Sequence, residues 1–271
     1  MSAEAVRELV LAGPGVVVLT GAGMSTDSGI PDYRGPNSVA RTPMTYQHFR
    51  SGALAQQRYW ARSYLGWHHM GRALPNDGHR ALARLERDGH VTTLITQNVD
   101  GLHGDAGSSR VVDLHGRVDE VICMDCGDVT SRESVQLRLA AANPAFTADA
   151  VRALPDGDVD HDDTDGFVVV ECVRCDGPLK PRVVFFGESV PAPTVEQCFA
   201  AVDDARALLV LGSSLTVHSG LRFVRRAHKR GVPIAIVNRG ATRADDLATV
   251  RLDAGCTETL TALAAAAALT S

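Results

Sequence analysis

Two C-x-x-C pairs, Cys123-Met-Asp-Cys126 and Cys172-Val-Arg-Cys175, are separated by 45 residues. Each pair can place two thiolates on one ion from a tight turn, and four thiolates fill the closed tetrahedral shell of a structural zinc site. If one ion holds both pairs, the chain must fold back on itself across that interval. Gly127 follows the first pair and Asp176-Gly177 the second, so residues suited to tight turns follow both. Spacing alone also allows two disulfides or unlinked core cysteines. Reduced cytoplasmic thiols favour metal. A closed shell leaves no position for water, so this metal is expected to be structural. Cys198 and Cys256 lie outside the pairs on helical patterns and read as small buried hydrophobes.

Outside this segment, strand and helix signals alternate. Short apolar runs occur at Gly15–Leu19, Thr92–Ile95, Val111–Leu114, Val183–Phe186, Leu208–Leu211, Ile234–Val237 and Thr249–Leu252, the last as an edge strand. Helical periodicity occupies Met1–Ala12, Met44–Gly66 (with a possible break), His79–Asp88, Thr194–Asp203, Ser219–Arg230 and Thr257–Ala268. Buried strands alternating with helices predict an α/β fold, a doubly wound parallel sheet of Rossmann-like type. The segment 117–181 breaks the rhythm and reads as a small inserted zinc-binding module. Residues 1–116 and 182–271 then form the main domain. Within the insertion, PDGDVDHDDTDG from Pro155 to Gly166 is strongly acidic. It lacks EF-hand spacing and reads as a solvated loop.

Composition excludes some functions. Net charge is −5, which argues against a nucleic-acid surface. No apolar run is long enough to span a membrane, and the start of the chain lacks a secretory pattern. A cytoplasmic protein is expected. Only Lys180 and Lys229 are lysines among 27 basic residues, which suggests a GC-rich bacterial genome.

In doubly wound sheets, ligands bind beyond the C-terminal strand ends. Gly21-Ala22-Gly23 follows the first strand and could bring backbone amides to a pyrophosphate, although a lone G-x-G is weak and Pro31 delays any helix. Gln97, Asn98 and Asp100 follow the second strand and suit a carboxamide and a ribose. His115 ends the third and suits a general base near neutral pH, or a merely structural histidine.

Together these residues resemble the sirtuin family. The matching elements run in family order over nearly the whole chain. They are GAGMSTDSGIPDYRG from Gly21, TQNVDGLH from Thr96, LHG around His115, the cysteine pairs, FFGE from Phe185, GSSL from Gly212 and VNRG from Val237. STDSGIPDYR, VVFFGE and the long gap between cysteine pairs look like class II, and RYWARSYLGW from Arg58 and LPDGDV from Leu154 narrow the match.

The resemblance implies an NAD-dependent protein lysine deacylase that releases nicotinamide and transfers the acyl group to ADP-ribose. It implies catalytic roles for His115, Asn98 and Asp100. It implies NAD contacts from Gly21, Ala22, Gly23, Tyr33, Arg34, Gln97, Asn98, Asp100, Gly212, Ser213, Ser214, Asn238, Arg239, Gly240 and Cys256. Phe186, Gly187, Glu188 and Val217 would flank the acyl-lysine of a protein substrate. NAD would be a co-substrate, and one structural zinc would sit on Cys123, Cys126, Cys172 and Cys175. Residues 29–40 would form a lid.

Tyr59 and Arg62 match the Y-x-x-R arrangement of sirtuins that act on acidic acyl groups. At i and i+3 they share a helix face, so an acidic or extended acyl preference is expected. Protein mono-ADP-ribosyl transfer and, further off, nicotinamide-dependent oxidoreduction are the alternatives. A monomer is expected, with no nucleic-acid or membrane partner.

Overall fold

Val16–Thr20 (β1) follows the helix Ala3–Leu11 (α1) and is buried at every position, as a strand covered on both faces must be. The structure is a computed structural model that describes residues 3–33, 43–147, 154–159, 161 and 163–269. In chain order there follow α2 (Tyr46–Phe49), α3 (Ala53–Met70), α4 (Asp77–Arg87), β2 (Val91–Thr96), α5 (Leu102–Asp105) and β3 (Val111–Asp113). Next come β4 (Gly116–Cys123), β5 (Val129–Ser131), α6 (Arg132–Ala142) and β6 (Leu179–Val183). The chain closes with α7 (Ala192–Asp203), β7 (Ala207–Leu211), α8 (His218–Arg230), β8 (Ile234–Val237), β9 (Val250–Leu252) and α9 (Cys256–Ala267).

Six strands form one sheet in the order β3-β2-β1-β7-β8-β9, with every pair parallel. This is the doubly wound arrangement, and its direction of winding reverses between β1 and β7. The period of two along each strand sorts side chains into two apolar layers. Val16 and Val18 of β1 face α1, α4 and α9 together with Leu209 and Leu211. Val17 and Leu19 face α7 and α8 together with Leu208 and Val210. Local signals set the helix ends. Asn76 caps α4 by accepting from the His79 amide, and Gly231 closes α8 at φ 70°.

The run Val183–Phe186 is not a strand of this sheet, contrary to the sequence expectation. Only Val183 is in a strand, β6, which pairs antiparallel with β4 in a separate sheet of order β5-β4-β6. A short apolar run satisfies the pattern of a buried strand wherever its side chains are buried. Here Phe185 is buried in the small lobe and Phe186 is partly exposed.

Helices α2 and α3 also belong to the core of this lobe. Phe49, Tyr59, Trp60 and Ala61 pack with Val121, Val135, Leu139, Phe167 and Leu179. Trp60 is almost fully buried and donates from Nε1 to the Leu179 carbonyl at 3.1 Å. Arg132 is fully buried, with its guanidinium 5.3 Å from the Trp60 ring centroid and 5.0 Å from that of Trp67. It donates to Gln136 Oε1 at 2.6 Å and to the Ser63 carbonyl at 3.1 Å. Cation–π contacts and neutral acceptors thus hold its guanidinium among the described residues. Trp60→Ala should cost about 3–5 kcal/mol, the usual loss for a buried aromatic. Urea denaturation followed by circular dichroism checks this, and a loss below about 1 kcal/mol would show that the lobe does not depend on the joint.

Candidate active site

The reversal between β1 and β7 leaves a crevice at their C-terminal ends. The two turns that leave these strands are packed backbone to backbone. Gly21 donates its amide to the Leu211 carbonyl at 3.0 Å, and Gly23 donates to the Gly212 carbonyl at 2.9 Å. A Cβ on Gly23 would lie 2.9 Å from Gly212 Cα. Gly212 holds φ at +59°, and a Cβ there would lie 2.6 Å from the Gly23 carbonyl carbon. Both positions therefore require glycine.

These turns open into a cleft of about 1020 Å³. Its lining brings together most of the residues singled out from the sequence. Gly21, Ala22, Gly23, Tyr33, Gln97, Asn98, Asp100 and His115 line it, as do Gly212, Ser213, Ser214, Asn238, Arg239 and Gly240. Tyr59, Phe186, Gly187, Glu188 and Val217 line it as well. Cys256 does not. It is buried at the start of α9, where Gly255 lies against the Arg239 guanidinium. Arg34 and most of the expected lid lie outside the described residues.

The polar groups are held by one another. Gln97 donates from Nε2 to the Thr20 carbonyl at 3.1 Å and to Ser213 Oγ at 2.9 Å, which ties β1, β2 and β7 together at their ends. Asn98 donates to Ser25 Oγ at 3.0 Å, and Ser25 donates to Asp100 Oδ2 at 2.7 Å. The Leu102 amide donates to Asp100 Oδ1 at 3.0 Å. Burial raises the Asp100 carboxyl above its usual range against these hydrogen bonds. Ser25 carries no sequence signal beyond its place in the glycine-rich turn. It links two strand-end side chains across the crevice.

His115 follows β3. Its Nδ1 lies 2.9 Å from the Gln97 carbonyl, which can only accept, so Nδ1 carries a proton. Its Nε2 lies 2.7 Å from Ser219 Oγ. In the neutral ring, Nε2 is then the acceptor and Ser219 the donor. Burial lowers the His115 pKa below its ordinary 6.5, against the raising effect of the Gln97 carbonyl and with a further lowering from Arg222. The ring is therefore a neutral, oriented base at neutral pH. Ser219, at the start of α8, also escaped the sequence reading, since 104 residues separate it from His115.

Arg62 departs from its expected place. It does not line the cleft. Its Nη2 lies 2.6 Å from Asp158 Oδ2, and its Nε donates to the Val159 carbonyl at 3.0 Å. Tyr59 and Arg62 do share a face of α3, but the acidic insertion has taken up the guanidinium. Glu188 is likewise committed, at 3.0 Å from Lys180 Nζ and accepting from the Phe185 amide.

Away from the cleft, the four sulfurs of Cys123, Cys126, Cys172 and Cys175 lie within 4.8 Å of one another. Cys123 Sγ is 3.5 Å from Cys175 Sγ, and Cys126 Sγ is 3.8 Å from Cys172 Sγ. A tetrahedron with Zn–S legs of about 2.3 Å has edges of about 3.8 Å, so the cluster fits zinc. Gly127 at φ 72° and Asp176 at φ 57° turn the chain after each pair. The Arg174 amide points at Cys172 Sγ at 3.4 Å.

The Sir2 family model matches residues 21–219. The chain belongs to the Sir2 family. It is 56% identical over 260 residues to NAD-dependent protein deacetylase 1 of Mycobacterium avium, covering 94% of this chain and 92% of that one. It is 49% identical to the NAD-dependent protein deacetylase of Bordetella bronchiseptica, covering 95% of each. A Sir2 protein solved with a p53 peptide and NAD+ superposes with a TM-score of 0.82 at 30% identity, covering 99% of this chain and all of that one. A Sir2 protein bound to an acetylated peptide gives 0.81 at 28% identity, again over 99% of this chain and all of that one. Among the described residues, no helix is long and apolar enough to cross a membrane.

Metal analysis of purified protein should give one zinc per chain. Cys172→Ser should lose it and unfold at lower temperature, while Cys198→Ser should keep it. Metal-free protein of undiminished stability would refute a structural role.

Proposed function

We propose that the chain is an NAD-dependent protein lysine deacetylase, in which His115 is the general base of the cleft. The observation that carries this reading is the fixed tautomer of His115. Its Nδ1 proton is spent on the Gln97 carbonyl, so Nε2 presents its lone pair beside the glycine turns. The relatives named above carry the deacetylase name, and a neighbouring structure is of a Sir2 protein with NAD+ and peptide.

The amides of the turns at Gly21–Gly23 and Gly212–Ser214 would receive the pyrophosphate of NAD, where the close approach of backbone needs glycine. Asn238 and Arg239, after β8, would border the adenosine. When bound, NAD supplies an activated bond between nicotinamide and ribose, and its ribose accepts the acyl group. Asn98 and Asp100, linked through Ser25, would hold the nicotinamide end. His115 Nε2 would take a proton from a ribose hydroxyl, after that hydroxyl replaces Ser219 as its donor. Val217, Phe186 and Tyr59 would wall the acyl-lysine. An acidic acyl preference is not part of this reading, because Arg62 is engaged by Asp158.

Mixing protein, NAD and an acetyl-lysine peptide should release nicotinamide and deacetylated peptide in equal amounts. Nicotinamide release without deacetylation would favour ADP-ribosyl transfer, and reversible NADH formation would indicate an oxidoreductase. His115→Ala should lower kcat/KM by at least about 100-fold, the usual contribution of a positioned base.

The base must be neutral, so activity is present above its pKa and lost as pH falls through it. Because burial lowers that pKa, the acid limb of kcat/KM should lie below 6.5. Ser219→Ala removes a hydrogen bond donated to neutral Nε2, which should shift this limb to higher pH. An unmoved limb would show that the contact is broken in the working enzyme.

A further inference from the structure

Behind the cleft, two buried histidines stand in contact and take no part in the chemistry above. His79 of α4 is fully buried and His103 of α5 nearly so, and their ring centroids lie 4.7 Å apart. The hydrogen bonds around them fix where each proton sits. His79 Nδ1 accepts from the Asn76 amide at 3.3 Å, so that ring is neutral and carries its proton on Nε2. Thr20 Oγ1 spends its single proton on Thr96 Oγ1 at 2.8 Å. In the 3.0 Å contact between His103 Nε2 and Thr20 Oγ1, the imidazole must therefore donate. Burial disfavours charge on His103, which leaves its Nδ1 as a lone pair. His79 Nε2 and His103 Nδ1 are both buried without a hydrogen-bond partner among the described residues. A proton moved onto His103 Nδ1 would need an acceptor, and the neighbouring ring has only another N–H to offer.

From His103 the line runs to the site. Thr96 Oγ1, which receives the Thr20 proton, also accepts from the Asn98 amide at 3.1 Å. This bond holds the backbone of the residue whose side chain reaches Ser25. Thr20, Thr96 and His103 are all buried, so a partner lost from the line is not replaced by bulk water. The carbonyl of Thr20 serves a separate purpose. It accepts from the Gln97 amide at 3.0 Å and from Gln97 Nε2 at 3.1 Å. Two routes thus leave Thr20, one from its carbonyl through Gln97 to His115 and one from its hydroxyl through Thr96 to Asn98.

We infer that His103 is a positioning residue for Asn98, acting through the hydroxyls of Thr20 and Thr96, with His79 keeping it in the neutral, Nε2-protonated form. Its effect on turnover rests on the deacetylase reading, and its effect on the Asn98 amide does not.

The test compares wild type with Thr20→Val, His103→Leu and His103→Gln. Thr20→Val removes only the hydroxyl and leaves the carbonyl that Gln97 holds. His103→Leu removes the donor, and His103→Gln restores one, since the glutamine amide nitrogen can donate to Thr20. Hydrogen exchange of the Asn98 amide, read by nuclear magnetic resonance, reports the relay directly. The amide of Ile236, in the middle of the main sheet, reports global stability. Thr20→Val and His103→Leu should speed Asn98 exchange relative to Ile236 by at least about tenfold, and His103→Gln should return it towards wild type. Under the deacetylase reading, kcat should fall by at least about tenfold in the first two variants, with the KM for acetyl-peptide within about twofold of wild type.

Asn98 exchange that rises no more than that of Ile236 overturns the inference, as does a loss of kcat in His103→Leu that Thr20→Val does not share. If His103→Leu fails to fold, Thr20→Val decides alone. Faster Asn98 exchange in a protein whose wild type shows no NAD-dependent turnover would leave the relay standing and overturn only the deacetylase reading.

Discussion

The close packing of two backbone turns governs everything else in the cleft. β1 and β7 are neighbours whose connections leave in opposite directions, so their ends part and leave space. That space becomes a site only because Gly23 and Gly212 let the two turns touch. A side chain at either position would push the turns apart. Gln97 would then lose its simultaneous hold on Thr20 and Ser213. His115 takes its orientation from the Gln97 carbonyl, so a separation at the turns would reach the imidazole through a single residue. The geometry of the cleft is thus a consequence of sheet topology, transmitted through backbone contacts and the single residue Gln97.

The main sheet was legible because its strands are buried on both faces. Val16–Leu19, Leu208–Leu211 and Ile234–Val237 are continuous apolar runs that end at, or one residue before, a glycine or asparagine, and each forms a parallel strand. The zinc cluster was legible from spacing, since two thiolates per turn can close a shell in few other ways. Val183–Phe186 was misplaced because an apolar run records burial and not the partner that provides it. The small lobe defeats a reading by segments for a related reason. Its core joins Tyr59 and Trp60 to Val121 and Leu179, and no local pattern announces that α3 will cover a sheet formed from the insertion.

Within the site, the residues at strand ends were legible, and those that link them were not. His115, Asn98, Asp100 and Gln97 follow apolar runs and carry unusual chemistry for such positions. Ser25 and Ser219 are small hydroxyl residues in a turn and at a helix start, where serine is common. Their importance lies in distances to residues 75 and 104 positions away. Such contacts are created by the topology, so they become visible only when the sheet is assembled.

Arg62 shows the limit of a motif more sharply. Its spacing from Tyr59 places it where a cation for an acidic ligand is expected, and the helix does present both residues on one face. What the spacing omits is competition. An arginine gains from a carboxylate that pairs with it, and a second hydrogen bond to a carbonyl offsets more of its desolvation. The insertion supplies such a carboxylate within the same molecule, at the effective concentration of a docked loop. An acidic ligand drawn to Arg62 would therefore compete with Asp158 and not merely with water. The same arginine can belong to a substrate clamp or to an internal brace, and what decides between them lies about a hundred residues further along the chain, at Asp158.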